Sequence, residues 1–298
     1  MKNVILNETI YQLEVGYKGK DYLRVAFNRL MKDTYGFNLE DWYQASYWKE
    51  QYIPYTLFDK GEAISNVSVT PMDFSLEGIP VRALQIGAVM TAAKYRHLGL
   101  SRFLMETVLE EWMPKADFIF LYANDEVLEY YPKFCLYPAC EFEHRKLMPE
   151  RSPLSIRKLD MKKESQRSLF FDLVNSAIPV AKLDIKNNPE LTMFYALYIY
   201  PNSIYYLEEL DCAVVADYQK DTLILHAIYQ KEDIPMDYLL AALGRPGIKN
   251  VRLGFTPQNT EGFMEFMYKK KDSTLFVSEK GAVLFEKMRL RIPVLTHT

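Results

Sequence analysis

The feature that most constrains this chain is a junction near its first third. A long, mostly apolar run from Val81 to Met90 leads into Tyr95-Arg96-His97-Leu98-Gly99-Leu100-Ser101, and helical spacing begins there. Leu100, Phe103, Leu104, Val108 and Trp112 fall on one face of that helix, with Glu106 and Glu110 away from it. Pro114 ends it. An apolar run of this length with so little alternation predicts a strand buried on both faces. Strand, loop and helix in that order predict an α/β protein.

The loop carries the chemistry. The first-turn amides of a helix have no internal partner and sit at the positive end of its dipole. An anion is stabilised there. Gly99 has no Cβ, so a phosphate can approach the backbone closely. Arg96 can add charge-assisted bonds or hold the loop. Ser101 is small and leaves room for a pyrophosphate. The lysine-serine ending of a Walker A loop is missing, and so is the three-glycine spacing of a dinucleotide fingerprint.

The remaining pattern extends the α/β reading. Thr9 to Val15 predicts a strand and Asp21 to Met31 a helix. Asn38, with Asp41 in the box position, predicts a second helix carrying Trp42, Tyr43, Ala45 and Trp48. Ile53–Phe58 and Ala63–Val69 flank the turn Asp59-Lys60-Gly61. Asp117–Tyr122 predicts a buried strand, Asn124 to about Phe134 a helix, and Glu141–Met148 one or two closing strands. Met148-Pro149-Glu150-Arg151-Ser152-Pro153 predicts a linker.

Beyond that linker the order of elements repeats without the sequence. Strands are expected at Leu154–Leu159, Ile204–Leu210, Cys212–Tyr218, Thr222–Gln230 and Asn250–Phe255, and helices at Glu164–Asn175 and Pro235–Leu243. A closing hairpin is expected from Thr274–Ser278 and Ala282–Phe285. The length of 298 residues suits two domains at roughly 100–200 residues each. The expected division is 1–148 and 153–298. Where the second half should carry a phosphate loop it has Gln230-Lys231-Glu232-Asp233-Ile234-Pro235, whose acidic side chains oppose an anion. A degenerate second copy is therefore expected.

A net charge of −3 and no long basic stripe disfavour nucleic acid as a partner. No apolar run approaches the ~20 residues of a membrane span. Cys135, Cys140 and Cys212 are odd in number and lack metal-ligand spacing, which fits a reducing, cytoplasmic setting and predicts no metal.

The segment Arg96-His97-Leu98-Gly99-Leu100-Ser101 resembles the acetyl-CoA motif of the GNAT acetyltransferase superfamily, Arg/Gln-x-x-Gly-x-Gly/Ala, with Ser in the last place. Val89-Met90-Thr91 before it resembles the family's central strand, as in acetyltransferases of the enhanced-intracellular-survival type. Downstream, Asn124-x-x-Val127-x-x-Tyr130-Tyr131-x-Lys133-Phe134 is similar to Asn-x-x-Ala-x-x-Phe-Tyr-x-Lys-Leu-Gly-Phe, with Cys135-Leu136 in place of Gly-Phe.

The resemblance implies a GNAT-like acyl-CoA N-acyltransferase fold with a mixed sheet, duplicated here. It implies acetyl-CoA as co-substrate. Val89, Met90 and Thr91 would meet the pantetheine arm, and His97, Leu98, Gly99, Leu100, Ser101 and Arg102 the diphosphate. Tyr131 would be the general acid. Asn124 would cap its helix or reach the cofactor. Tyr131 also fits plain core packing beside Tyr130.

The acceptor implied is an amine, on a small molecule or a peptide. Glu62 and Gln85 lie on strands that could reach it. Two other readings remain open: a non-catalytic acyl-CoA-binding regulatory protein, and transfer of a larger acyl group. A homo-oligomer is compatible with the sequence.

Overall fold

The computed structural model describes residues 2–151 and 154–297. Ser152 and Pro153 of the expected linker lie outside the described residues, as do Met1 and Thr298 at the outer ends of the two expected domains.

The first half runs β1 (Lys2–Leu6), β2 (Thr9–Val15), α1 (Asp21–Tyr35), α2 (Glu40–Gln44), β3 (Ile53–Asp59), β4 (Glu62–Leu76), β5 (Ile79–Thr91), α3 (Leu100–Trp112), β6 (Phe118–Ala123), β7 (Leu136–Pro138) and β8 (Glu141–Leu147). The second runs β9 (Ile156–Lys158), α4 (Glu164–Ser176), β10 (Leu183–Lys186), α5 (Pro189–Phe194), β11 (Ile204–Leu207), β12 (Cys212–Gln219), β13 (Thr222–Tyr229), α6 (Met236–Leu243), β14 (Asn250–Leu253), β15 (Met264–Tyr268), β16 (Thr274–Ser278) and α7 (Glu279–Met288).

Two mixed sheets form. The first has the order β1-β2-β3-β4-β5-β6-β16-β7, with β10 paired to the far end of β4. The second has the order β9-β11-β12-β13-β14-β8-β15. Set β2 of the first against β9 of the second, and the two sheets match strand for strand. In each, the fourth and fifth strands pair in parallel, β5 with β6 and β13 with β14, while their neighbours pair antiparallel. The fold is a duplicated GNAT-like α/β arrangement.

In both sheets the sixth place is taken by a strand from the other half. β16 pairs with β6 on one side and β7 on the other. β8 pairs with β14 and β15. Each half therefore lends its closing strand to its twin.

The halves also share a core. Met72 and Phe74 of β4, Phe118 and Phe120 of β6, and Leu275 and Val277 of β16 pack with Phe170 and Leu173 of α4. The C-terminal residues Leu290, Ile292 and Leu295 thread into the same cluster. His297 follows them half-buried, its ring 4.0 Å from that of Tyr122. Burial, with Arg291 and Lys270 nearby, depresses its pKa to about 3, so it is neutral at pH 7.

Several expected elements differ. Asn124 does not begin an α-helix; two short 3₁₀ turns occupy Asp125–Val127 and Tyr131–Phe134. Pro132 explains the break, since it lacks an N–H and its ring crowds the carbonyl four residues back. The Asn124 side chain makes no capping bond. The helix after Asn38 is a single turn, and Trp48 falls in the loop beyond it. Asn38 Oδ1 accepts the Glu40 N–H at 3.0 Å, which fixes that turn without a capping box.

The expected closing hairpin is a strand followed by a helix. Ala282–Phe285 lies in α7, where Gly281 and Phe285, four apart, are buried and Val283 faces solvent. Cys135 adopts φ +57°, the left-handed conformation that the family's glycine would supply. Among the described residues, no helix is long and apolar enough to cross a membrane.

Candidate active site

The site is built where β5 and β6 part. They pair only from Ala83–Gln85 to Phe118–Phe120. β5 then continues to Thr91 and β6 to Ala123 with no further pairing between them. Each strand keeps its other edge paired, β5 on β4 and β6 on β16. The facing edges form a wedge of backbone donors and acceptors, which an extended amide-bearing ligand could complete.

A bulge shapes the wedge. The β4–β5 register slips between Asn66 and Ser68, and Ala88 takes φ +45°. Polar side chains beneath it are tied together. Tyr17 donates to Thr56 Oγ1 at 2.6 Å, and Thr56 donates to Asn66 Oδ1 at 2.6 Å. Asn66 Nδ2 donates to Ser68 Oγ and to the Ala88 carbonyl, both at 2.9 Å. A satisfied buried chain of this kind fixes the bulge rigidly.

At the mouth of the wedge lies the loop. The His97 and Gly99 backbones are left-handed, at φ +65° and +75°, with Leu98 between them. A side chain at Gly99 would meet no protein atom within 4 Å. Among the described residues, the amides of His97, Leu98, Gly99, Leu100, Ser101 and Arg102 donate to no protein acceptor. Alternating backbone conformations that leave successive N–H groups unpaired make an anion nest. Here it merges with the start of a 13-residue helix.

The loop is anchored from both sides. Tyr95 O–H donates to Asp59 at 2.6 Å, and that carboxylate, with burial, pushes the phenol up to about 12. Asn7 Nδ2 donates to the Leu98 carbonyl at 2.9 Å. Arg96 Nε donates to the Thr91 carbonyl at 3.4 Å, so Arg96 holds the loop.

The other sequence-predicted residues fall around the wedge. Val89, Met90 and Thr91 form the end of β5, with Met90 buried and its neighbours half-buried. Ser101 Oγ bonds the Tyr130 hydroxyl at 2.8 Å, tying the helix start to the Tyr130–Tyr131 turn. Arg102 pairs with Glu106 on the helix surface at 3.1 Å. Asn124 follows the end of β6 and is exposed. Glu62 is held by Arg29, 2.8 Å to each carboxylate oxygen, and Gln85 is buried within the sheet.

Tyr131 is 5% exposed. Its ring packs edge-on to Tyr130 at 5.3 Å and against Phe276 at 5.6 Å. Phe276 belongs to β16, so the second half supports this ring. No protein hydrogen bond to the Tyr131 hydroxyl occurs among the described residues. Burial raises its pKa well above the ordinary phenol value, and Tyr35 and Tyr130 raise it further. The group keeps its proton.

Sequence reasoning missed Tyr35 and Tyr52. Tyr35 O–H donates to the Val89 carbonyl at 3.1 Å. Tyr52 is buried beside Ser68, and Tyr35 acts electrostatically on both Tyr52 and Tyr131. The available signal was Ser65, Asn66, Ser68 and Thr70, a polar row within the otherwise apolar stretch from Ala63 to Met72.

The matching place in the second sheet is filled. β13 and β14 pair from Thr222–Leu225 to Asn250–Leu253. Between their continuations runs the chain's own backbone. Ile178 N–H donates to Gln230 C=O at 2.8 Å, and Lys182 N–H to Thr256 C=O at 2.8 Å. Gln258 N–H donates to Val180 C=O at 3.1 Å, and Ala181 bridges Pro257. At Gly254 a Cβ would come within 2.9 Å of the His226 backbone, so the strands approach too closely there for a ligand to lie between them.

Comparison with known proteins agrees with this geometry. Residues 19–134 match the family described as acetyltransferase (GNAT) domain. This segment is a GNAT domain. It contains α1 through the Tyr131–Phe134 turn, and so the wedge, the anion nest and Tyr131. No curated protein matches the chain.

Solved structures resemble nearly the whole chain. A conserved protein from Enterococcus faecalis, described as a probable N-acyltransferase, superposes with a TM-score of 0.59 at 13% identity, covering 90% of this chain and 72% of that one. Eis1 from Mycobacterium abscessus gives 0.55 at 12%, covering 89% and 72%. A GCN5-related N-acetyltransferase from Kribbella flavida gives 0.54 at 17%, covering 89% and 71%. At these identities the likeness is one of fold, and it extends over both halves of the GNAT-like duplication.

Proposed function

We propose that this GNAT protein transfers an acetyl group from acetyl-CoA to an amine, binding acetyl-CoA in the first half of the chain only. The observation that carries the reading is the run of unpaired amides from His97 to Arg102 at the mouth of an open strand wedge. The residues fit the group. The nest would hold the diphosphate, and the free edges at Val89–Thr91 would pair with the pantetheine amides. Acetyl-CoA would supply the activated acyl group as a thioester.

The chain's own groups then have defined tasks. Backbone N–H groups at the bulge are fixed by the Asn66–Ala88 contact and can polarise a carbonyl oxygen. Tyr131 holds a proton beside the wedge. A thiol with a pKa near ~8.5 leaves more easily when a positioned acid protonates it. Phe276 and Tyr130 fix the ring that carries this acid. Tyr35 lies on the Val89 carbonyl, which a bound pantetheine arm would claim, so it must turn aside on binding.

The second half, 153–298 with β8, is read as a degenerate copy. Its cofactor slot is occupied by residues 178–182, and its loop Gln230–Pro235 is acidic. Its contribution is to close the first sheet with β16 and to wall the acceptor side.

The test is thiol release from acetyl-CoA across a library of primary amines. Release that depends on an added amine, with the acetylated amine found by mass spectrometry, is the expected result. CoA binding with no release for any amine would overturn transfer in favour of a binding protein.

A further inference from the structure

The first sheet has one strand that its twin lacks. With β2 matched to β9, β1 has no counterpart among the described strands of the second sheet. It also lies outside the GNAT segment, residues 19–134. It adds little core: Lys2, Asn3 and Ile5 are exposed, and Val4 and Leu6 are half-buried. The half with the open wedge carries this strand, and the half with the closed one does not.

The strand leads to the anion nest. The register Leu6↔Thr9 leaves Asn7 and Glu8 as a two-residue hairpin turn, both left-handed at φ +49° and +63°. Asparagine is favoured in such a turn. From that tip Asn7 Nδ2 donates to the Leu98 carbonyl at 2.9 Å, across 91 positions of sequence.

That carbonyl shares a peptide plane with the Gly99 N–H. In a trans peptide the two point to opposite sides. Holding the Leu98 oxygen on the hairpin therefore aims the Gly99 N–H the other way, among the unpaired amides of the nest. Glycine makes this plane hard to hold unaided. Gly99 sits at φ +75°, and glycine populates positive and negative φ about equally. If the plane turned over, a carbonyl oxygen would face the anion in place of an N–H. The residue that admits a phosphate is also the one that lets its donor turn away.

We propose that Asn7 is a positioning residue for the CoA diphosphate: it locks the Leu98–Gly99 peptide in the orientation that binds. The inference rests on the cofactor reading of the nest. It makes the β1–β2 hairpin part of the cofactor site, although the hairpin itself is distant in sequence. A donor fixed in place before the ligand arrives costs less ordering on binding.

The experiment uses the full chain. CoA is the calorimetric probe, and thiol release is followed from acetyl-CoA and from S-acetylpantetheine, which has no diphosphate. Asn7→Gly removes the donor and keeps the turn, since glycine takes a left-handed backbone without strain. Loss of one such hydrogen bond should weaken CoA binding about threefold to tenfold. Asn7→Asp keeps the shape, but a carboxylate cannot donate to a carbonyl and adds negative charge beside the nest. Its loss should be larger. In both variants the loss should appear in KM for acetyl-CoA rather than in kcat, and kcat/KM for S-acetylpantetheine should hold.

Unchanged CoA affinity in both variants, or an equal loss with S-acetylpantetheine, overturns the assignment. Thermal melting checks that each variant is folded, and if one is not, the other decides alone. Wild-type CoA binding without turnover sinks the transfer, while the calorimetric losses still support Asn7. Wild-type turnover with CoA affinity unchanged in the variants sinks Asn7 alone. A wild type that binds no CoA removes both.

Discussion

Replacing Tyr131 by phenylalanine is expected to lower kcat by about 10²–10³-fold and to leave CoA affinity within about twofold. The magnitude is that of losing a positioned general acid. The structural side of the change is small. The hydroxyl makes no protein hydrogen bond among the described residues, while the ring, which Tyr130 and Phe276 hold, remains. Stability should therefore move by no more than about 0.5 kcal/mol.

Tyr55→Phe is the useful contrast. Its hydroxyl donates to Glu111 at 2.8 Å and accepts from Trp112 at 2.9 Å, so that variant should lose stability and keep its kcat. The pH dependence of Tyr131 has a clear sign. Its pKa is raised, so the proton-bearing form persists beyond the ordinary phenol value of ~10. The wild-type rate should show no alkaline fall through this group below that pH. Stopped-flow or steady-state thiol release checks both points. A loss of activity that merely follows a loss of folded protein would assign Tyr131 to packing.

Ending the chain after Arg151 is expected to abolish cooperative folding of the first half. That chain lacks β16, so the edge of β6 loses its ladder from Phe120 to Ala123 and β7 loses its partner. Leu275, Phe276 and Val277 are each at most 3% exposed. Burying such side chains stabilises by ~1.5–3 kcal/mol each, and a whole domain has only ~5–15 kcal/mol. The truncated chain also exposes β8, whose place is in the other sheet. Supplying residues 152–298 as a second chain should restore a cooperative melt in calorimetry. A sharp transition from residues 1–151 alone would mean that the exchange is dispensable.

The loop and the exchange differ in how far the sequence reveals them, for a physical reason. A phosphate nest is local. It needs a strand, a left-handed glycine and a helix start within a few residues, and Arg96 to Ser101 displays them in order. Strand partners are not local. β8 and β16 have the pattern of ordinary closing strands, and nothing in that pattern states which sheet they close. The sheet order β6-β16-β7 is set by pairings that join Thr274–Ser278 to Phe120–Ala123 and Leu136–Pro138, far apart in the chain.

Other differences trace to single residues. Pro132 was a sufficient signal against a continuous helix through Phe134. Ala282–Phe285 is a short apolar run, which suits a buried strand or one turn of helix equally. Tyr35 is exposed on α1 in sequence terms, and only the fold brings it to Val89. The plug at residues 178–182 was invisible because it works through backbone groups, which any sequence supplies.

One half of the duplicated GNAT-like fold is proposed to keep a CoA site, while the matching place in the other is closed. Isothermal titration with CoA tests this most directly. One molecule per chain is the expected result. Gly99→Ala should weaken binding at least tenfold, about 1.4 kcal/mol, because a Cβ would enter the space left open above the nest. Asp233→Ala, in the second half's loop, should leave affinity and stoichiometry unchanged. Two molecules per chain, no binding, or full affinity in Gly99→Ala would contradict it.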